Sequence, residues 1–257
     1  MTETLAVVVP VFNEAKGILP TLRHLRAQRD ADFDVFFVDN GSADGSAAVI
    51  RDFAAKHALT RWQVIHEAEK GTGAASDTGM RAAIDAGHTL LARTDADCLP
   101  RLDWTARIRQ ALTSEADGGD GLEFLGGLLV SRADEGEPWW RRRLMESAVY
   151  VAEAFGKIRP GNRGPEYLGP YMMAAGCNCA IRADLYVEAG GFPRTRIEDL
   201  HEDRALVNAV RTLTRRYRTR RDVVVAGSSR RVQAWGLKNT LLWYKDHAYR
   251  PDHVDIR

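Results

Sequence analysis

Asp95 and Asp97, set between the apolar run Leu90-Leu91-Ala92 and Leu99-Pro100, are the residues of this chain best suited to hold a metal ion. If the segment is the mouth of a buried strand, both carboxylates point to one side, roughly 7 Å apart at the backbone. Buried like charges repel and lose hydration, so the pair is a poor core element. It suits a hard divalent cation, which takes oxygen ligands and bridges a diphosphate. Taken alone, the same residues fit a solvated Asp-x-Asp turn. A second acidic pair, Glu202-Asp203, stands ahead of Leu206, Val207 and Val210 at helical spacing. Acids suit a helix N-terminus through the macrodipole alone. Glu198-Asp199 is a competing pair just upstream.

The elements that must position these residues follow from periodicity. Leu5 to Val9 and Phe33 to Val38 are continuous apolar, β-branched and aromatic runs, the pattern of strands covered on both faces. Trp62 to Ile65 and Leu90 to Thr94 read the same way. Between them lie segments with helical spacing: Ile18, Leu22, Leu25; then Ala47, Ile50, Phe53; then 74–86, closed by Gly87. Ser42 or Asp44 suits the cap of the second helix. Strands alternating with helices imply a mostly parallel sheet, whose ligands collect at the carboxyl ends of the strands. Those ends carry Pro10/Asn13/Glu14, Asp39, Glu67/Lys70 and Asp95/Asp97.

Composition narrows the partners. A chain of 257 residues with 45% hydrophobic content fits one large domain or two joined halves. Lys+Arg 36 against Asp+Glu 35 gives +1, with no global field for nucleic acid. Neither a signal peptide nor an apolar run of membrane-spanning length is read, which leaves room only for peripheral membrane contact. Three cysteines make no disulfide framework, and Cys98 is read as alone, so a reduced, cytoplasmic protein is the expectation.

VVVPVFNEA, FFVDNGSADGS, the glycine-containing loop before the third helix and DAD together resemble the nucleotide-sugar half of family-2 glycosyltransferases with the GT-A fold. GCNCAIRADLYVEAGGF and HEDRALVNAV are similar to that family's acceptor-side segments, so the resemblance spans roughly 4–215. It implies an α/β, Rossmann-like, mostly parallel sheet with helices on both faces. The chain is then one compact domain, with a nucleotide-sugar half at 1–98 and an acceptor half with a C-terminal helix at 99–257. Pro10, Asn13, Glu14, Asp39, Lys70, Asp95, Ala96, Asp97 and Glu202 are then the donor-binding residues. Asp39 meets the base, Asp95 the ribose, and Asp97 a Mn2+ or Mg2+ ion on the diphosphate, with His201 and His247 as candidate further ligands. Asp203 is the catalytic base of an inverting transfer from a nucleoside-diphosphate sugar to an acceptor hydroxyl. One departure is clear: Ala75-Ser76-Asp77-Thr78-Gly79 stands where many members have Ala-Arg-Asn-x-Gly, leaving Lys70 or Arg81 to replace the arginine.

The second half reads as a helix over 101–116, a strand over 124–130, a helix from Trp139 to Phe155, a broken loop from Gly156 to Pro170, a strand from Val223 to Ala226 and a helix over 235–249. Arginines in 211–221 are taken as a solvated helix end and strand start. Ser228 to Arg231 is a candidate to fold back over the diphosphate, and the Trp139/Trp140 and Trp235/Trp243 clusters are assigned to core or lid. The rival readings are a nucleotidyltransferase, against which Val11-Phe12-Asn13-Glu14 lacks the glycine-rich basic signature, and a silent sugar-nucleotide binding protein. A dehydrogenase is disfavoured, because Gly71-Thr72-Gly73 follows the third strand and not the first. The sugar, the acceptor and the oligomeric state are not legible.

Overall fold

The computed structural model describes residues 3–136, 138–158, 162–194, 202–230, 234–236 and 239. The apolar runs form the strands they imply: Leu5–Val11 (β1), Phe33–Asp39 (β2), Trp62–His66 (β3) and Leu90–Thr94 (β4). Leu19–Arg26 (α1), Ser46–Lys56 (α2) and Thr72–Asp85 (α3) connect them. β1 pairs in parallel with both β2 and β4, and β2 with β3, as right-handed crossovers through helices require.

The second half joins the same sheet. After Leu99–Pro100 (β5) and Trp104–Leu112 (α4) come Phe124–Ser131 (β6) and Trp139–Ile158 (α5). Asn178–Arg182 (β7), Ala183–Glu188 (α6), Glu202–Leu213 (α7) and Tyr217–Gly227 (β8) follow. The strand order is β3-β2-β1-β4-β7-β6-β8-β5. β7 is antiparallel to both β4 and β6, β5 is antiparallel to β8, and only β6 and β8 pair in parallel there. The first half, β1 to β4, is therefore all parallel, and the second half is mixed.

Each face of the sheet has its own apolar layer. Leu22 and Leu25 of α1, Ile50 and Phe53 of α2, and Trp104 and Ile108 of α4 cover one face. Met80 of α3, Leu185 and Tyr186 of α6, and Leu206 and Val210 of α7 cover the other. Gly79 lets α3 press onto the strands, since a Cβ there would lie 2.4 Å from Val8 Cγ1.

Several expectations need correction. β4 stops at Thr94, and the backbone NH of Cys98 donates to Asp95 O at 3.1 Å, so Asp95 to Cys98 is a turn and not strand. The helix expected over 101–116 is α4 followed by a short 3-10 turn at Glu115–Asp117. β8 begins at Tyr217, ahead of the apolar stretch that announced it. Arg211 is not solvated: it is buried, lies 3.8 Å over the Tyr167 ring and donates to Asn162 O at 2.7 Å. Those contacts, with Tyr217 Oη donating to Pro170 O at 2.7 Å, pin part of the segment expected as a broken loop. Trp139 and Trp140 are not core residues; both are exposed. Of the expected C-terminal helix, only 235, 236 and 239 lie within the described residues.

Asn178 bolts the second half together. Fully buried at the start of β7, its amide oxygen accepts from Trp104 Nε1 at 2.9 Å, and its Nδ2 donates to Leu128 O at 3.0 Å and Val223 O at 3.1 Å. Asn178→Ala strands a buried indole NH and two buried carbonyls, each worth about 1–3 kcal/mol. Urea unfolding should show a loss of about 3 kcal/mol or more. Asn178→Asp should not rescue it, because a carboxylate cannot donate to the two carbonyls.

Candidate functional site

The carboxyl ends of β1, β2 and β4 and the N-terminus of α7 converge on the Asp95–Asp97 turn. All three carbonyls of that turn are fixed. Asp95 O accepts from Cys98 N, Ala96 O from Thr21 Oγ1 at 2.8 Å, and Asp97 O from Arg132 Nη1 at 2.8 Å. The two carboxylates then take different partners. Asp95 Oδ1 receives Arg93 Nη2 at 3.2 Å, whereas Asp97 Oδ2 receives Arg230 Nη2 at 2.8 Å.

Arg93 is the residue the sequence hid. Its side chain is only 2% exposed, within an otherwise apolar strand, and a buried charge survives only when paired. It donates to Glu202 Oε1 at 3.2 Å from both terminal nitrogens and lies 5.1 Å over the Phe192 ring. Burial opposes its charge, but Asp95 and Glu202 more than compensate and hold its pKa above the usual arginine value. Gly176 makes room: a Cβ there would be 2.8 Å from Arg93 Nη1.

Asp203 follows Glu202 at the head of α7. Its oxygens accept from Arg204 N at 2.7 Å and Gly176 N at 3.2 Å. Burial first, then the neighbouring Glu202 charge, push its pKa up to about 6, against the pull of Arg93 and the two backbone donors. A carboxylate near pH 6 is a far better proton acceptor than an ordinary aspartate and stays ionised at neutral pH.

Arg230 is carried into the site by the end of β8. Glu135 Oε2 accepts from Ser229 N at 2.6 Å and Ser229 Oγ at 2.8 Å, fixing the chain just before Arg230. Arg230 Nη2 then bridges Asp97 Oδ2 and, at 2.7 Å, Glu14 Oε1. Of the segment expected over a diphosphate, Arg230 meets the Asp97 and Glu14 carboxylates, and Arg231 lies outside the described residues.

The other wall is built largely from loop-to-loop bonds. Asn13, at a φ of 51° that asparagine tolerates, donates its NH to Ser42 Oγ at 3.0 Å and accepts from Ala43 N at 2.9 Å. Glu14 N donates to Ser46 Oγ at 2.7 Å. Pro10 is half-buried within β1, opposite Val38. Asp39 accepts from Ser42 N at 3.2 Å, the turn-capping role open to it from the outset. Asn40, which sequence reasoning passed over, ties the third loop to β2 by donating to Glu67 O at 3.0 Å and Glu69 O at 2.7 Å and accepting from Gly71 N. Lys70 folds back onto the Asn40 carbonyl at 2.9 Å and lies 4.6 Å over the Phe12 ring, so it is no free loop lysine.

Arg81 is the other residue named in place of the family arginine. It pairs with Asp77 at 2.9 Å, in a cluster that draws Arg194 from the second half. Arg194 donates to Glu67 and Glu69, each at 2.8 Å, and to Thr78 Oγ1 at 3.0 Å. Cys98 is not alone: Cys177 and burial push its thiol well above the usual value, and its Sγ lies 3.6 Å from Asp97 Oδ1. Glu198, Asp199, His201 and His247 lie outside the described residues.

For a metal, the turn offers hard carboxylate oxygens. Among the described residues no cluster of three His, Cys, Asp or Glu side chains is placed to enclose an ion. One or two carboxylates completed by phosphate oxygens is the coordination Mg2+ and Mn2+ favour, so the donor set fits an ion that arrives with a diphosphate.

A family model described as Glycosyl transferase family 2 matches residues 6–188. Glycosyltransferase AglE of Haloferax volcanii is 27% identical over 221 residues, 83% of this chain and 66% of its own length. The chain thus spans just under two thirds of that relative. Among solved structures, the mannosyltransferase PcManGT of Pyrobaculum calidifontis, in complex with GDP-Man and Mn2+, superposes with a TM-score of 0.64 at 23% identity, over 91% of this chain and 60% of the other. TarS of S. aureus with UDP-GlcNAc gives 0.60 at 16% identity, over 88% and 58%. These neighbours share the GT-A fold.

Arg93→Met should leave Glu202 a buried carboxylate without its cation, and half-buried Asp95 without its partner, and cost about 3 kcal/mol or more. Arg93→Lys should recover only part of this, because an ammonium cannot reproduce the guanidinium fork. Thermal and urea melts of the two variants measure both effects; a wild-type midpoint for Arg93→Met would remove the role given to this residue.

Proposed function

We propose that this chain, which belongs to glycosyltransferase family 2, transfers a sugar from a nucleoside-diphosphate donor to an acceptor hydroxyl by a single inverting displacement. The observation that carries this reading is the linkage of Asp203 to the Asp95–Asp97 turn through Arg93 and Glu202. It sets a proton acceptor beside the carboxylates that suit a diphosphate-bound ion, at the carboxyl edge of the sheet where such folds bind ligands.

The nucleotide half takes the donor. Pro10, Asn13, Glu14 and Asp39 line the side where base and ribose enter, Lys70 closes the loop beside them, and Asp95 with Ala96 floors the ribose and diphosphate. Asp97, with Asp95 adjacent, would hold Mn2+ or Mg2+; when bound, the ion neutralises charge developing on the departing diphosphate. Arg230, now on Asp97 and Glu14, has diphosphate oxygens as its natural alternative partner. Asp203 accepts the acceptor hydroxyl's proton as that oxygen attacks the anomeric carbon opposite the diphosphate. Glu202 fixes Arg93 and keeps Asp203 basic.

Mannose from GDP and N-acetylglucosamine from UDP, the donors in the two neighbours, differ in base and sugar. They support a hexosyl nucleotide as the donor class. No helix among the described residues is long and apolar enough to cross a membrane. We place the enzyme in the cytoplasm, where the free thiols of Cys98, Cys177 and Cys179 stay reduced.

The direct test is calorimetric titration of UDP and GDP with and without Mn2+. Asp97→Ala should abolish the tightening that Mn2+ gives, and unchanged Mn2+-dependent affinity would remove Asp97 as the ligand.

Asp203→Asn should bind donor and Mn2+ as wild type yet lose transfer by roughly 10²–10⁴-fold. In wild type, kcat/KM should fall tenfold per pH unit below about pH 6, where the base becomes protonated. Folding responds with the opposite sign. A carboxyl whose folded pKa is raised stabilises the fold at low pH, and that contribution is lost as pH rises from the unfolded value through about 6. Asp203→Asn should therefore melt no lower than wild type at pH 7.5, so lost turnover with an intact melt separates chemistry from folding.

A further inference from the structure

Trp139 and Trp140 open α5 with 71% and 52% of their surface exposed. Tryptophan is highly buried on average, and two in tandem leave an apolar face without a partner. Arg141, Arg142 and Arg143 follow at once, and the Arg141 guanidinium lies 5.4 Å over the Trp140 ring. Cation and indole thus share one surface.

Two observations set these arginines, of which Arg141 and Arg143 are exposed and Arg142 half-buried, apart from the others of the chain. No acidic side chain pairs with any of them among the described residues, whereas Arg61, Arg101, Arg109, Arg132, Arg182, Arg194, Arg216 and Arg220 each hold a carboxylate. They also crowd the first turns of a helix whose first turn has no acid, where the macrodipole is already positive. Helix stability would place them at the other end.

We propose that this patch docks the protein on an anionic lipid bilayer, with Trp139 and Trp140 at the headgroup boundary and Arg141 to Arg143 against lipid phosphates. Indoles favour that boundary because one end is apolar and the other polar, and clustered arginines are drawn to anionic headgroups. A nucleic acid would be expected to draw on a broader basic surface than one helix start, and the chain carries only +1 overall. The patch also neighbours the site in the chain: only 133–138 separate Trp139 from Arg132, which holds the Asp97 carbonyl.

The test is co-sedimentation of the full chain with vesicles of phosphatidylcholine alone or mixed with phosphatidylglycerol. Binding is expected only with the anionic lipid and should weaken as salt screens the charges. Replacing Arg141, Arg142 and Arg143 together by Gln should weaken it roughly five-fold per residue, on the order of a hundred-fold in all. Trp139→Ser with Trp140→Ser should abolish it while the far-ultraviolet spectrum and melt stay unchanged, both residues being exposed. Trp139→Phe with Trp140→Phe should still bind, yet lose the quenching of tryptophan emission by brominated lipid chains. Three results would overturn the proposal: equal binding to neutral vesicles, anionic binding indifferent to these variants, or wild-type self-association that the Trp→Ser pair abolishes, which would make a second copy the occupant. Since vesicle binding needs neither donor nor turnover, the outcome is independent of the transfer reaction.

Discussion

A single buried cation sets the geometry of this molecule's candidate centre. Arg93 enters the interior from β4, where leaving it uncompensated would cost several kcal/mol. Its compensation comes from Asp95, at the exit of its own strand, and from Glu202, at the start of α7. The need to neutralise one guanidinium therefore draws a helix of the second half onto the edge of the first. Gly176, forced small by the same side chain, presents its NH to Asp203.

The surrounding charges follow from that anchor. Glu14, Asp95, Asp97, Glu202 and Asp203 share the neighbourhood with the guanidiniums of Arg93, Arg230 and, on the Asp97 carbonyl, Arg132. With carboxylates in excess, the cleft attracts cations before anions, so an anionic diphosphate is best received together with a metal ion. Glu202 directs its carboxylate to Arg93, whereas burial and the neighbouring Glu202 charge push the Asp203 carboxyl up to about 6 against the pull of its two backbone donors. Two adjacent acids on one helix turn thereby acquire different work.

What the sequence disclosed and what it withheld divide along a physical line. The strands of the nucleotide half were legible because a strand buried on both faces must be apolar throughout, and their polar ends were legible because turns punctuate them. Glu202-Asp203 was legible as a helix start with a function implied by family likeness. Arg93 was not: it looks like a lapse in an apolar run until its partner arrives from 109 residues away. Periodicity reports which way a residue points, not what comes to meet it. The same limit hid Arg211 beneath Tyr167, and Arg194 on Glu67 and Asp77. The extended reading of Asp95 to Asp97 failed for a different reason, since composition alone does not separate a strand mouth from the turn that ends it.

The insertion of β7 between β4 and β6 makes both halves of the molecule one continuous hydrogen-bonded sheet. Proteins that engulf a substrate by bending at a hinge need two bodies joined by a few yielding residues. Here a backbone ladder crosses the border, with Asn178 stitched into three neighbouring elements beside it. Opening the halves like a jaw would break that ladder. Under the proposed transfer, admission of a donor would fall to segments at the sheet's edge, among them the stretch that sets Arg230 on Asp97 and Glu14. The rate of turnover would then be set by how fast a short peptide flap lets go, against a scaffold that holds its shape.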